Sequence, residues 1–222
     1  MPADMSDANV GRQGRGRPKR ADPRRDATCL AIIEAAESLF AEQGIDMVSL
    51  RQIGAAAGAK NTAVVAYHFG DKEALIEAIL RHRLPEFEKR RGELAGPMQG
   101  RGLSLEDTLR VLWQPLFEQR NAQGRRSYAA FLLNLGRSRW GWVWMGAGLD
   151  VPVTLELGRT IRNLMPAGAQ KRFSERMIAT TALVMSVLEA AGKSHGAGPE
   201  TDRELFEDAV RMASAALRAP GA

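Results

Sequence analysis

Cysteine is nearly absent: the 222 residues contain only Cys29, so no internal disulfide can form. Its neighbours Leu30, Ile32 and Ile33 are apolar, which suggests a buried structural thiol in a reducing compartment, the cytoplasm. Histidine is almost as scarce. His68, His82 and His195 lie far apart, none in a metal-binding or triad pattern, and there is no P-loop or strand-borne GxGxxG. Nothing therefore points to an enzyme, a metal or a cofactor. The longest charge-free helical run, residues 177–188, is too short for a bilayer and contains Thr180, Thr181 and Ser186. The opening MPADMSDANV lacks the apolar stretch of an export signal. Strand-like alternation and internal repeats are missing too. The expectation is a soluble, all-α chain.

Positive charge is confined to one place. Residues 11–25 hold seven basic side chains against Asp22, more than the whole chain's net +5, so the remainder is slightly acidic. Rich in Gly and Pro, residues 1–25 are expected to form a disordered basic arm seeking a polyanion.

From Asp26 the pattern becomes helical. Leu30, Ile33, Ala36 or Glu37, and Phe40 recur at helical spacing until Gly44, which fits the position just past a helix end. Ser49 with Gln52 three residues on makes a capping box opening a second helix, with Leu50, Ile53 and Ala57 inward. Gly58 breaks it. Asn61 is expected to cap a third helix running to about His68, with Val65 and Phe69 inside. Gly70-Asp71 restarts a fourth at Lys72, bridging onward to about Leu94. Two short helices joined by a turn between longer ones is the helix-turn-helix arrangement. The outer face of the third helix (Asn61, Thr62, Ala66, Tyr67, His68) is small, uncharged and hydrogen-bonding, where a solvated helix would more often carry Lys and Glu.

After a linker, AGPMQGRG, further helices are expected near 104–119, 126–139, 153–164, 167–191 and 201–217. The middle of this region is aromatic. Trp113, Phe117, Phe131, Trp140, Trp142, Trp144 and Met145, with Met177, are candidates to line a pocket for a flat or lipophilic effector, although much of the set must be packing. Arg125, Arg126, Arg137 and Arg139 could meet an acidic ligand group; solvated surface is the plainer reading of each. The last two helices carry apolar faces broken by small residues, suited to close helix approach.

The stretches AAESLFAEQG, VSLRQIGAAAGA and AVVAYHFGDKEAL, within residues 35–75, stand in the order and near the spacing of the DNA-binding domain of TetR/AcrR repressors, which this segment resembles. From Gly58 to Phe69 it counts one residue more than the commonest family pattern. The resemblance implies a helix-turn-helix domain at 26–72 and a ligand-binding and dimerisation domain at 73–222, paired through the last two helices. It implies that Thr62, Ala63 and Ala66 face bases, and that Tyr67, His68 and Lys72 face phosphates; His68 reads equally as a capped surface histidine. Ser49 and Arg51 are candidates for further phosphate or guanine contact, beside Asn61. Residues 26–72 hold six acidic side chains against three basic ones, so the arm must supply attraction. Its Arg15-Gly16-Arg17-Pro18 resembles the core of an AT-hook, and a nonspecific phosphate-binding tail fits as well. The expected partners are a near-palindromic double-stranded operator, a second copy of the chain and a small-molecule effector. An effector-independent architectural DNA-binding protein is the alternative, and activator stands beside repressor.

Overall fold

In the computed structural model, the described residues are 23–61, 63–98, 102–141, 148–193 and 199–220. Arg15, Arg17, Thr62, Trp142, Trp144 and Met145 lie outside them. Among the described residues there are nine α-helices and no strand. They are α1 (Pro23–Gln43), α2 (Leu50–Ala56), α3 (Val64–Phe69), α4 (Lys72–Ala95), α5 (Leu105–Glu118), α6 (Ser127–Arg137), α7 (Pro152–Leu164), α8 (Phe173–Lys193) and α9 (Pro199–Arg218).

Local chemistry sets most of the ends. Gly44, at φ +82°, stops α1 and donates its N–H to Phe40 O at 3.1 Å; an L side chain there would be strained. Ser104 caps α5 through the Asp107 N–H, and Asp71 caps α4 through the Ala74 N–H. Three boundaries differ from the sequence expectation. Pro23, Arg24 and Arg25, assigned to the arm, are the first residues of α1, where proline's missing N–H costs nothing. The third helix starts at Val64 rather than after Asn61. The eighth starts at Phe173 rather than 167, because the Pro166 carbonyl accepts from Ala169 and Gln170 N–H in a tight turn leading into the 3-10 segment Gln170–Arg172.

One continuous apolar core runs from Ile32, Phe40, Ile53 and Val65 through Ile76, Leu80 and Phe87 to Trp113, Phe131, Leu188 and Phe206. α1 packs on α2, α4 and α6; α8 packs on α6 and α9; α5 lies between α4, α7 and α9. Polar joints lock these contacts. Glu37 on α1, 1% exposed, accepts from Arg83 Nε at 2.7 Å and Nη2 at 3.2 Å, and from the Ser127 hydroxyl of α6. Asn134 Nδ2 donates to the Phe40 and Ala41 carbonyls at 2.9 and 3.0 Å, tying α6 to the last turn of α1, where the Phe40 carbonyl also accepts the Gly44 N–H. Arg91 donates to Glu88, Thr154 and Leu112 O, pinning α4 to α7 and α5.

The start of α9 is held by Asp202, which accepts from Arg120 at 2.7 Å and from Arg126 at 2.9 Å. Burial works to raise the Asp202 pKa, but the two arginine hydrogen bonds outweigh it and hold the carboxyl below its ordinary 3.8. A pKa lowered by folding gives stability that is complete above the unfolded value and lost as pH falls through the folded one. Urea unfolding should therefore weaken steadily below about pH 4, and Asp202→Asn should flatten that decline while lowering stability at pH 7. An acid limb identical in wild type and variant would remove Asp202 from this role.

Candidate nucleic-acid interface

The unit that presents α3 is built from short-range hydrogen bonds. Ser49 takes extended backbone angles, φ −91° and ψ 155°. Its Oγ accepts the Gln52 N–H while Gln52 Oε1 accepts the Ser49 N–H at 2.8 Å, the reciprocal capping box. After α2 the chain turns at Gly58, and the Ala59 N–H returns to Gly54 O at 3.0 Å. Asn61 then acts one step earlier than a cap. Its Oδ1 accepts the Ala63 N–H at 2.9 Å, closing an Asx turn, and its carbonyl accepts the Val64 N–H at 3.1 Å. This is why α3 is only six residues long and why Ala63 is its N-cap, without a side-chain hydrogen bond.

Val65 is wholly buried and Phe69 half-buried, so this stripe anchors α3 to the core. The opposite surface is open. Ala63 and Ala66 are exposed, and the Tyr67 ring is 83% exposed. Ser49 and Arg51 on α2 and Asn61 before α3 are exposed as well, and α2 packs directly on α3.

Two of the sequence candidates have partners inside the protein. His68 is half-buried, with Nδ1 3.5 Å from Cys29 Sγ of α1 and its ring edge-on to Tyr67 at 5.1 Å. Cys29 is itself half-buried, so the thiol reads as a brace between α1 and α3. Lys72 Nζ donates to Ile45 O at 2.9 Å, tying the start of α4 to the loop after α1. Burial lowers the Lys72 pKa; the Asp46 charge opposes that and Arg139 adds to it. Met47, 77% exposed in the loop before Ser49, carries no sequence signal that marks it as exposed. Nothing in its neighbourhood there distinguishes it from a core methionine.

The aromatic candidates are distributed differently. Trp113, Phe117 and Phe131 are core residues, with Phe131 stacked on Phe40 and Phe117 on Phe206. Met177 is half-buried against that core. Trp140 is half-buried, its ring under the Arg139 guanidinium and its Nε1 buried without a partner among the described residues. Surface clefts of 140 and 260 Å³ occur elsewhere, and none of these residues lines them. Among the described residues, no group of three or more His, Cys, Asp or Glu could hold a metal ion. No described helix is long and apolar enough to cross a membrane.

Comparison with known proteins places the match on this same unit. Residues 32–79 match the family described as bacterial regulatory proteins, tetR family. A helix-turn-helix-type transcriptional repressor of Mycobacterium tuberculosis is 43% identical over 58 residues, 26% of this chain and 30% of that protein. A helix-turn-helix-type transcriptional regulator of Mycobacterium bovis matches to the same extent. The match thus spans about a third of the length of these curated relatives. Among solved structures, a TetR-family regulator of Mesorhizobium loti has a TM-score of 0.49 at 16% identity, covering 87% of this chain and 98% of that one. One from Marinobacter aquaeolei has a TM-score of 0.49 at 21% identity, with coverage of 87% and 97%.

Proposed function

We propose, from the premise that this chain belongs through residues 32–79 to the tetR family of bacterial regulatory proteins, that it is a cytoplasmic, effector-released transcriptional repressor acting as a homodimer on a near-palindromic operator. The observation that carries the DNA reading is the uncharged outward face of α3. Ala63, Ala66 and Tyr67 are exposed on a helix whose Val65 is wholly buried, so the surface is displayed rigidly. Alanine methyl groups suit thymine methyl contact, and Tyr67 offers a hydroxyl to a phosphate, with Thr62 assigned to a base edge. Ser49, Arg51 and Asn61 would flank it. Lys72 retains N–H donors beyond the one given to Ile45, enough to reach phosphate as well; His68 would orient Tyr67 and touch the backbone from the rim.

In this reading residues 1–22 supply nonspecific or minor-groove attraction through Arg15 and Arg17, the unit from α1 to residue 72 reads sequence, and residues 73–222 pair and sense. Pairing through α8 and α9 is supported by apolar side chains left exposed there, Ile178, Leu205 and Met212. The effector would enter the aromatic region about Trp140. The repressor role is carried over from the mycobacterial repressor.

Selection from randomised duplexes with the full chain tests the reading. It should return two inverted half-sites whose centres lie about 34–36 Å apart; recovery of no sequence above random competitor would overturn it. Deleting residues 1–22 should weaken operator binding and flatten its salt dependence, since each phosphate-neutralising cation adds about 0.9 to the slope. Anisotropy titrations across a salt series check this, and an unchanged slope would take the arm out of the mechanism.

A further inference from the structure

The body of the protein places a cation against the reading unit. Just past the end of α6, Arg139 Nε lies 3.3 Å from Asp46 Oδ1, in the loop that runs from α1 to Ser49 and α2. Lys72, at the start of α4, holds the preceding residue of that loop through Ile45 O at 2.9 Å. Two positive side chains, one from the reading unit and one from the body, thus meet consecutive residues. Their charges are near enough for Arg139 to help lower the Lys72 pKa.

Arg139 is held from behind. α6 is fixed to α1 by the Asn134 bonds to the Phe40 and Ala41 carbonyls and by the stack of Phe131 on Phe40. The turn after α6 is closed by Ser138, whose Oγ donates to Leu135 O at 2.9 Å and accepts the Trp140 N–H at 3.1 Å. Gly141 N donates to Ser138 O at 3.2 Å, and a Cβ on Gly141 would stand 3.3 Å from Leu135 O, so the turn is tight. The guanidinium lies 4.9 Å from the Trp140 ring centroid, a stack that pre-orders a side chain otherwise rich in rotamers.

Its present partner is replaceable. The Arg139 side chain is 73% exposed and that of Asp46 46%, so water screens the ion pair and leaves it weak. A phosphate oxygen carries the charge of a carboxylate and suits the guanidinium fork as well. The reading unit is also short of cations: between residues 26 and 72, Arg51, Lys60 and Lys72 stand against six acidic side chains.

We propose that Arg139 is a phosphate contact of the bound duplex, supplied by the body of the protein beside the contact assigned to Lys72. This rests on the operator reading above. The contact adds affinity without base preference, because the phosphate is the same at every sequence.

Arg139→Gln, Arg139→Lys and Asp46→Asn in the full chain test it, by anisotropy titration across a salt series on the selected operator and on a scrambled duplex. Both positions are exposed, so each variant should melt within about 2 °C of wild type. Arg139→Gln should bind the operator at least ~tenfold more weakly, lose the same factor on the scrambled duplex, and lower the salt slope by about 0.9 for each chain bound. Arg139→Lys should recover most of that slope. Asp46→Asn breaks the same ion pair but frees Arg139 and removes a negative charge, so it should bind about threefold more tightly than wild type. A loss in Asp46→Asn equal to that in Arg139→Gln would mean that the pair only positions the loop, and would overturn the contact. So would an unaltered salt slope in Arg139→Gln, or a loss confined to the operator. A wild-type chain that binds neither duplex would instead sink the operator reading, and this contact with it.

Discussion

Glu37→Ala should cost about 3 kcal/mol of stability, the low end of what breaking a buried ion pair costs. For a chain of this length that corresponds to a fall in melting temperature of roughly 6–12 °C. The carboxylate is 1% exposed and serves three donors on two other helices, two nitrogens of Arg83 and the Ser127 hydroxyl. Its removal leaves Arg83, whose side chain is only 17% exposed, without its counter-charge. Thermal and urea unfolding of the two proteins measure the loss. Removing the charge on both sides separates the pair from its burial cost: Glu37→Leu with Arg83→Leu should recover much of what Glu37→Ala loses, because apolar replacement of a whole buried pair is often neutral. A drop below about 1 kcal/mol would mean water reaches the joint and screens it.

Ala66→Glu should leave folding within about 0.5 kcal/mol of wild type, since the site is an exposed helical position. It should nonetheless reduce operator affinity at least ~100-fold, equivalent to about 2.8 kcal/mol. The carboxylate would stand on the face proposed to enter the major groove, repelled by phosphates and too long for a methyl contact. Ala66→Gln is the control for bulk. It should lose less than the glutamate variant, and the gap between the two should narrow as salt rises, because only the charge is screened. Anisotropy titration on the selected operator reads all three. Equal affinity of Ala66→Glu and wild type would move the reading surface off α3.

What could be seen in advance was whatever depends on near neighbours in the chain. The Ser49–Gln52 box spans three residues, Gly44 needs only its own φ, and the nine helices of the described residues follow from apolar spacing. The third helix begins later than the cap pattern predicts because Asn61 has two local options, a helix cap and an Asx turn, and the turn wins. Arg126 was expected on the surface, as arginines usually are. It is buried, because Asp202 and Phe117 arrive from elsewhere in the fold to meet it.

The order of residues alone established an all-helical chain, a helix-turn-helix near its start and a polycation ahead of it, since periodicity, caps and charge are properties of contiguous sequence. Only packing decided which charges are buried and which ring stays outside on α3. Those outcomes depend on partners tens of residues away, such as Glu37 with Ser127 or Cys29 with His68. No local pattern encodes such a meeting, because it is the relative placement of whole helices that brings the groups within hydrogen-bonding reach.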